Sequence, residues 1–234
     1  MWLLPLLVVA GAVALSVPAG AYLARVMDNP RLPERLRRPE RWLDTGPQGP
    51  RQYLLSLLLF NTLMFAAAFL VLALQPLLPL NPDRKGMLAP TTIFHAAISF
   101  FTNNSLQHYA GELHLSYFSQ LTAIGWSMFV SGGVSLAALV AVIRGLRGDA
   151  HLGNFYVDLW RAVAYVFLPA SLLVGVLLLA AGVPMTFEGA AALRTVEGGA
   201  QAVARGPVAA LVPIKNLASV GGGFFGANSA HPLE

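Results

Sequence analysis

Apolar residues run through this chain in long unbroken stretches, not in the period-two or period-3.6 stripes of a half-exposed strand or helix. Four stretches, residues 2–24, 53–74, 121–143 and 162–181, reach the roughly 20 residues a helix needs to cross the hydrocarbon core of a bilayer. Two shorter apolar pieces, 91–101 and 206–217, lie among them. At about 1.5 Å per residue, each covers only about half of that core. The first runs into a polar segment, Thr102-Asn103-Asn104-Ser105-Leu106-Gln107-His108-Tyr109, and the second into Gly221-Gly222-Gly223-Phe224-Phe225-Gly226-Ala227. A half-length helix followed by such a loop predicts a segment that dips into the membrane and returns on the same face. Non-helical backbone at that depth is tolerated only where protein covers it or where it lines a water-filled path. The pattern therefore predicts an all-α membrane protein with two pore loops.

Composition supports a membrane protein. The chain is 56% hydrophobic and 11% charged, against roughly 25% charged in an ordinary soluble domain, and its mean hydropathy is +0.63. A soluble or secreted enzyme is thereby disfavoured. Cysteine is absent, which removes disulfides, thiol chemistry and Cys-based metal sites. No Walker loop, P-type phosphorylation motif or nucleophile–base pair is present, so nothing in the sequence points to ATP hydrolysis by this chain. The first apolar stretch reads as a membrane anchor and not as a cleaved leader. It is long, no basic residue precedes it, and an arginine cluster follows it where a cleavage site would stand.

Charge placement gives an orientation. Seven arginines (Arg25, Arg31, Arg35, Arg37, Arg38, Arg41 and Arg51) follow the first stretch, and Arg144, Arg147 and Arg161 flank the gap between the third and fourth. Arginine-rich loops stay cytoplasmic. Residues 25–51 and 144–161 are then inside and the N-terminus outside, with lipid headgroups or a partner as further candidates for the arginine loop. The predicted outer loops carry fewer basic residues: Arg84 and Lys85, then Arg194, Arg205 and Lys215. Span, short helix, loop and span recur after about 120 residues, counted from Phe101 to Phe224. This divides the chain into an N-terminal helix with its basic loop (1–51), a first pore-loop repeat (52–150) and a second (151–234) lacking its closing helix. The expectation is a truncated chain.

A monovalent-cation filter needs several oxygens at fixed spacing with no side chain in the way. Glycine allows that close approach, so Gly221, Gly222 and Gly223 are candidate carbonyl donors. Val220 lies in the same turn, and Ser219 could add a hydroxyl. Thr102, Asn103, Asn104 and Ser105 could do the same in the first loop with carbonyls and side-chain oxygens. Taken singly, a glycine run also fits a flexible turn, and Thr-Asn-Asn-Ser also fits a helix cap. His95 reads as a packed or hydrogen-bonded histidine. His108 and His114 are poorly spaced for a metal and suit a wet outer mouth, where Glu112 could attract cations. Lys215 reads equally as a functional intramembrane cation or as a side chain snorkelling outward. Asp158 and Arg161, three apart, predict an intrahelical pair.

At these residues the chain resembles the family of the A subunit of the bacterial potassium-transporting Kdp ATPase. The resemblance runs through Leu78-Pro79-Leu80-Asn81-Pro82, Ser99-Phe100-Phe101-Thr102-Asn103, then Gln107, Tyr109, Gly111 and Glu112, then Leu115-Ser116-Tyr117-Phe118-Ser119-Gln120. It continues through Gly153-Asn154, Val157-Asp158-Leu159, Arg161, Thr195-Val196-Glu197-Gly198, Gly206-Pro207-Val208-Ala209 and the glycine loop through His231-Pro232. It implies the fold of the superfamily of potassium transporters, in which four pore-loop repeats surround one filter behind an extra N-terminal helix. It implies a subunit that binds and translocates K+ in the bacterial inner membrane, without an organic cofactor, beside an ATP-hydrolysing B subunit, a C subunit and a small F peptide. This chain departs from the family at Asn104, where the family has Thr, and at Ala218-Ser219-Val220, where it has Gly-Thr-Asn. Val220 thereby removes a polar group that would brace the loop. The other reading is a non-conducting membrane remnant that only associates with partner subunits or lipid.

Overall fold

The computed structural model describes residues 3–28, 34–104 and 106–226, apart from the side chains of Arg35 and Leu36. Ser105 and the segment from Ala227 onward, both named above, lie outside the described residues, as does Arg31. Among the described residues four helices are long and apolar enough to cross a membrane: α1 (Leu3–Asp28), α3 (Pro50–Ala73), α6 (Tyr117–Arg147) and α7 (Phe155–Ala180). A short basic helix, α2 (Glu34–Leu43), precedes α3. The two half-length helices are α4 (Pro90–Phe101) and α8 (Val208–Leu217). A single turn, α5 (Gly111–His114), links the first loop to α6. An antiparallel hairpin, β1 (Ala191–Arg194) with β2 (Ala200–Val203), sits in the segment before α8. It adds a small two-stranded sheet to an otherwise helical chain.

The spans end where local chemistry stops or starts a helix. Pro50 opens α3 and Pro90 opens α4, each in the first turn, where the missing N–H is not needed. Asn154 caps α7, its Oδ1 accepting from the N–H groups of Tyr156 (3.1 Å) and Val157 (3.3 Å). The fourth span therefore starts seven residues earlier than its apolar run, at Phe155 and not at 162. Gly148, at φ 82°, closes α6 in the left-handed conformation. Both α6 and α7 carry a π-helical stretch, Gln120–Gly125 and Ala162–Phe167.

α6 is the centre of the bundle. Half of its most apolar window is buried, against none for α1, 6% for α3 and 11% for α7. Its glycines allow that position. A Cβ on Gly132 would lie 3.0 Å from the Ala218 Cβ, and one on Gly133 would lie 2.8 Å from Val163 Cγ2. Around α6 a larger core gathers α4, α8 and the glycine loop (Ile93, Phe100, Ile124, Met128, Ile214 and Phe224). A smaller core joins α3, α6, α7 and the end of α4 through Tyr53, Phe101, Val134 and Phe155. Leucines at the outer faces of α1, α3 and α7 are exposed, as lipid-facing residues must be.

Candidate functional site: two crossed loops and a buried arginine

The two half-length helices end alike. α4 is followed by Thr102 (φ −80°, ψ 5°) and then Asn103 at φ 58°. α8 is followed by Ala218 (φ −87°, ψ 4°) and then Ser219 at φ 55°. A left-handed residue after the last turn breaks each helix and sends the chain off as a loop. Asn tolerates that conformation well; Ser does so at some cost.

The loops then cross and hold each other. The Gln107 side chain is buried, and its Oε1 accepts from the Gly223 N–H at 2.8 Å. Gly222 lies flat against it: a Cβ there would come 2.7 Å from Gln107 Cβ and closer still to Oε1. From α6, Gln120 donates its Nε2–H to the Phe224 carbonyl at 3.1 Å. Gly111 leaves room for that bond, since a Cβ would lie 2.6 Å from the same carbonyl oxygen. Gly226, at φ 87°, packs against the Tyr109–Ala110 backbone. Asn103 ties the two helix ends together, its Oδ1 accepting from Ser131 Oγ (3.0 Å) and its Nδ2 reaching the Ala218 carbonyl (3.4 Å). Ser99 Oγ accepts from the Leu106 N–H at 2.7 Å and fixes the start of the return path.

The residues expected to line an ion path divide by exposure. Thr102, Asn104, Ser219 and Gly221 are exposed, whereas Val220, Gly222 and Gly223 are buried. Thr102 Oγ1 turns back to the Ile98 carbonyl at 2.9 Å. Asn103 is half-buried, and its side chain is spent on bracing, so only its backbone is left for an ion. Val220 packs into the larger core, while its N–H reaches the Lys215 carbonyl at 2.9 Å. Lys215 is itself buried in the last turn of α8, at 8% exposure, and does not snorkel into the open. Glu112 is half-buried in α5, just beyond the first loop. His95 packs edge-on against His108, ring centres 4.4 Å apart, and its Nδ1 makes no hydrogen bond among the described residues. Among the described residues no group of three acidic or histidine side chains is placed to hold a metal ion.

The expected Asp158–Arg161 pair is replaced by two longer-range pairs. Asp158 accepts both guanidinium ends of Arg144, at 2.6 and 3.2 Å. Arg161 instead reaches α2, bonding Glu40 at 3.0 and 3.3 Å, and the Met27 carbonyl at 2.7 Å. Three residues along a helix puts two side chains on one face, but both here point into the packed ends of other helices, which offer better-enclosed partners. Arg144 has all five N–H groups engaged: Nε to Asp28, Nη1 to Asp158 and the Leu152 carbonyl, Nη2 to Asp158 and the Met27 carbonyl. Met27, Asp28, Arg144, Asp158 and Arg161 line a cavity of about 380 Å3 at the arginine-rich end of the bundle.

Sequence reasoning missed the braces. Gln107 entered it only as a member of the polar run and of the family resemblance, Gln120 only within the resemblance, and Ser131 not at all. An amide side chain inside an otherwise apolar span, as at Gln120, is the signal that could have found them.

Spanning helices, half-length helices that stop within the bundle and loops that cross one another define a multi-pass membrane protein of the pore-loop class. Comparison with known families makes this specific. The family model of the potassium-transporting ATPase A subunit, KdpA, matches residues 6–234, and the chain belongs to that family. The ion it serves is K+, and its place is in a P-type ATPase complex with other subunits.

Proposed function

We propose that this chain binds and translocates K+ through the crossed loops, selecting the ion with backbone carbonyls of Gly221, Gly222 and Gly223 and of Thr102–Ser105, with Ser219 beside them. The observation that carries this reading is the bracing of the glycine loop by Gln107 and Gln120. A loop held on both sides keeps its oxygens at fixed spacing, as replacement of a hydration shell requires. The C-terminal ends of α4 and α8 lead into these loops with their partial negative charge, which suits a cation. Glu112 and Lys215 lie near the path and tune the local field. ATP is hydrolysed on a separate B subunit, with C and F subunits completing the complex in the bacterial inner membrane. The N-terminus faces outward, and residues 25–51 and 144–161 face the cytoplasm. Residues 52–150 and 151–234 act as two pore-loop repeats behind the N-terminal helix.

The test is growth of a potassium-uptake-deficient bacterium on limiting potassium, with this chain co-expressed with B, C and F subunits. Rescue that Gly222→Asp abolishes, at unchanged membrane abundance, supports the reading. Absence of rescue from an assembled complex favours the second reading, a non-conducting subunit. Val220 supports that alternative, because it fills the larger core with an apolar side chain where the resemblance calls for a polar brace. Val220→Asn is then the variant to test.

A further inference from the structure

Gln120 opens the π-helical stretch of α6 and is fully buried. Its backbone N–H is already committed to the Ser116 carbonyl at 2.9 Å. The wider π turn shifts the residues around it out of α-helical register, a device frequent at functional sites. Its side-chain amide meets the Phe224 carbonyl from one side, while Gln107 holds the Gly223 N–H from the other. The intervening peptide is thus clamped at both ends. The three glycines before it have no side chains to restrict them, so these two amides decide which way the backbone faces. The Phe224 ring adds a third restraint, stacked near Tyr117 and over Gly206, where no Cβ would fit.

We propose that Gln120 is a positioning residue for ion selection: its amide fixes the Phe224 carbonyl and, through it, the spacing of the glycine-loop oxygens. This rests on the reading of the loops as a filter. A carbonyl held by a buried amide cannot turn onto a passing ion or fold away from it. Leucine, of similar volume, removes the donor and frees the carbonyl. Glutamate places an acceptor against it while ionised and a donor once protonated.

The experiment measures K+ and Rb+ uptake by cells carrying the assembled complex, for wild type, Gln120→Leu, Gln120→Glu and Gly222→Asp. Gln120→Leu is expected to reach wild-type membrane abundance. Its half-saturating K+ concentration should rise on the order of tenfold, and its discrimination against Rb+ should fall. Gln120→Glu is expected to regain K+ affinity as the pH is lowered, relative to wild type at each pH. Unchanged affinity and discrimination in Gln120→Leu would overturn the proposal. Should the leucine variant fail to insert, a Gln120→Glu variant whose affinity follows the wild-type pH profile overturns it equally. Gly222→Asp separates the layers. If it abolishes uptake while Gln120→Leu is silent, only the role of Gln120 falls. If it too leaves uptake intact, the filter reading falls and this role with it.

Discussion

Replacing Asp158 by asparagine keeps the shape of the buried centre while removing its negative charge. Asp158 is 2% exposed and the Arg144 side chain 9%, so solvent screens neither. Arg144 would keep its contacts with Asp28, the Leu152 carbonyl and the Met27 carbonyl, and one guanidinium N–H could still donate to the asparagine oxygen, but the other oxygen becomes an NH2 group facing a donor and the buried counter-charge is gone. Asp28 is a weaker substitute, lying 3.2 Å away with its side chain 38% exposed. Tyr53 adds to the cost, because its hydroxyl sits 3.1 Å from the same carboxylate and 2.9 Å from the Ala137 carbonyl. Breaking a buried pair by removing one partner costs about 3–5 kcal/mol. For a chain of this length that is a fall in Tm on the order of 10 °C. The assay is thermal unfolding of the purified protein in detergent, alongside the double variant Arg144→Met/Asp158→Leu. The double variant should recover most of the loss, because a well-packed apolar pair replaces the ion pair without leaving a charge behind. A loss below about 1 kcal/mol for Asp158→Asn, the range of an exposed pair, would refute the reasoning. So would a double variant no more stable than the single one.

Three further outcomes set positions where backbone or cap leaves no slack against one in open space. Gly111→Ala should destabilise by about 1–3 kcal/mol, because its methyl would press on the Phe224 carbonyl oxygen, which has no side-chain freedom to yield. Gly11→Ala, in open space on α1, should be neutral or slightly stabilising in the same unfolding measurement. Asn154→Ala should cost about 1–2 kcal/mol, since it removes the cap of α7 and the donor that Asp44, Thr45 and Gly46 share. Hydrogen exchange at the Tyr156 and Val157 amides should speed up first.

The lengths of the apolar runs carried the architecture: four spans, two half-length helices and the loops after them were all legible in the residue pattern. Boundaries were not, because Phe155-Tyr156-Val157 reads as polar-flanked loop until the Asn154 cap is seen. The π turns left no trace, since one extra residue per turn changes neither composition nor hydropathy. The hairpin hid for a related reason. Its strands are short and mostly exposed, and the only signal was Gly198-Gly199 at the turn, where Thr195 Oγ1 accepts from the Gly199 N–H at 3.0 Å. Ion-pair partners were misjudged because Asp158 and Arg161 are neighbours in sequence while Arg144 and Glu40 are neighbours only after folding. The glycine loop was legible as backbone chemistry. What orients it was not, because Gln107 and Gln120 look like any other polar residues until the loops cross.

Among the described residues α1 is anchored near its C-terminal end. Arg144 and Arg161 both hold its Met27 carbonyl, Tyr22 reaches the Tyr165 carbonyl, and the rest of the helix stands clear of the bundle. Its 26 residues span about 39 Å, more than the roughly 30 Å of a typical hydrocarbon core. Such a helix meets changes in bilayer thickness by tilting, and with the rest of α1 clear of the bundle, a tilt about its arginine-held foot asks for no repacking of the helices that carry the crossed loops.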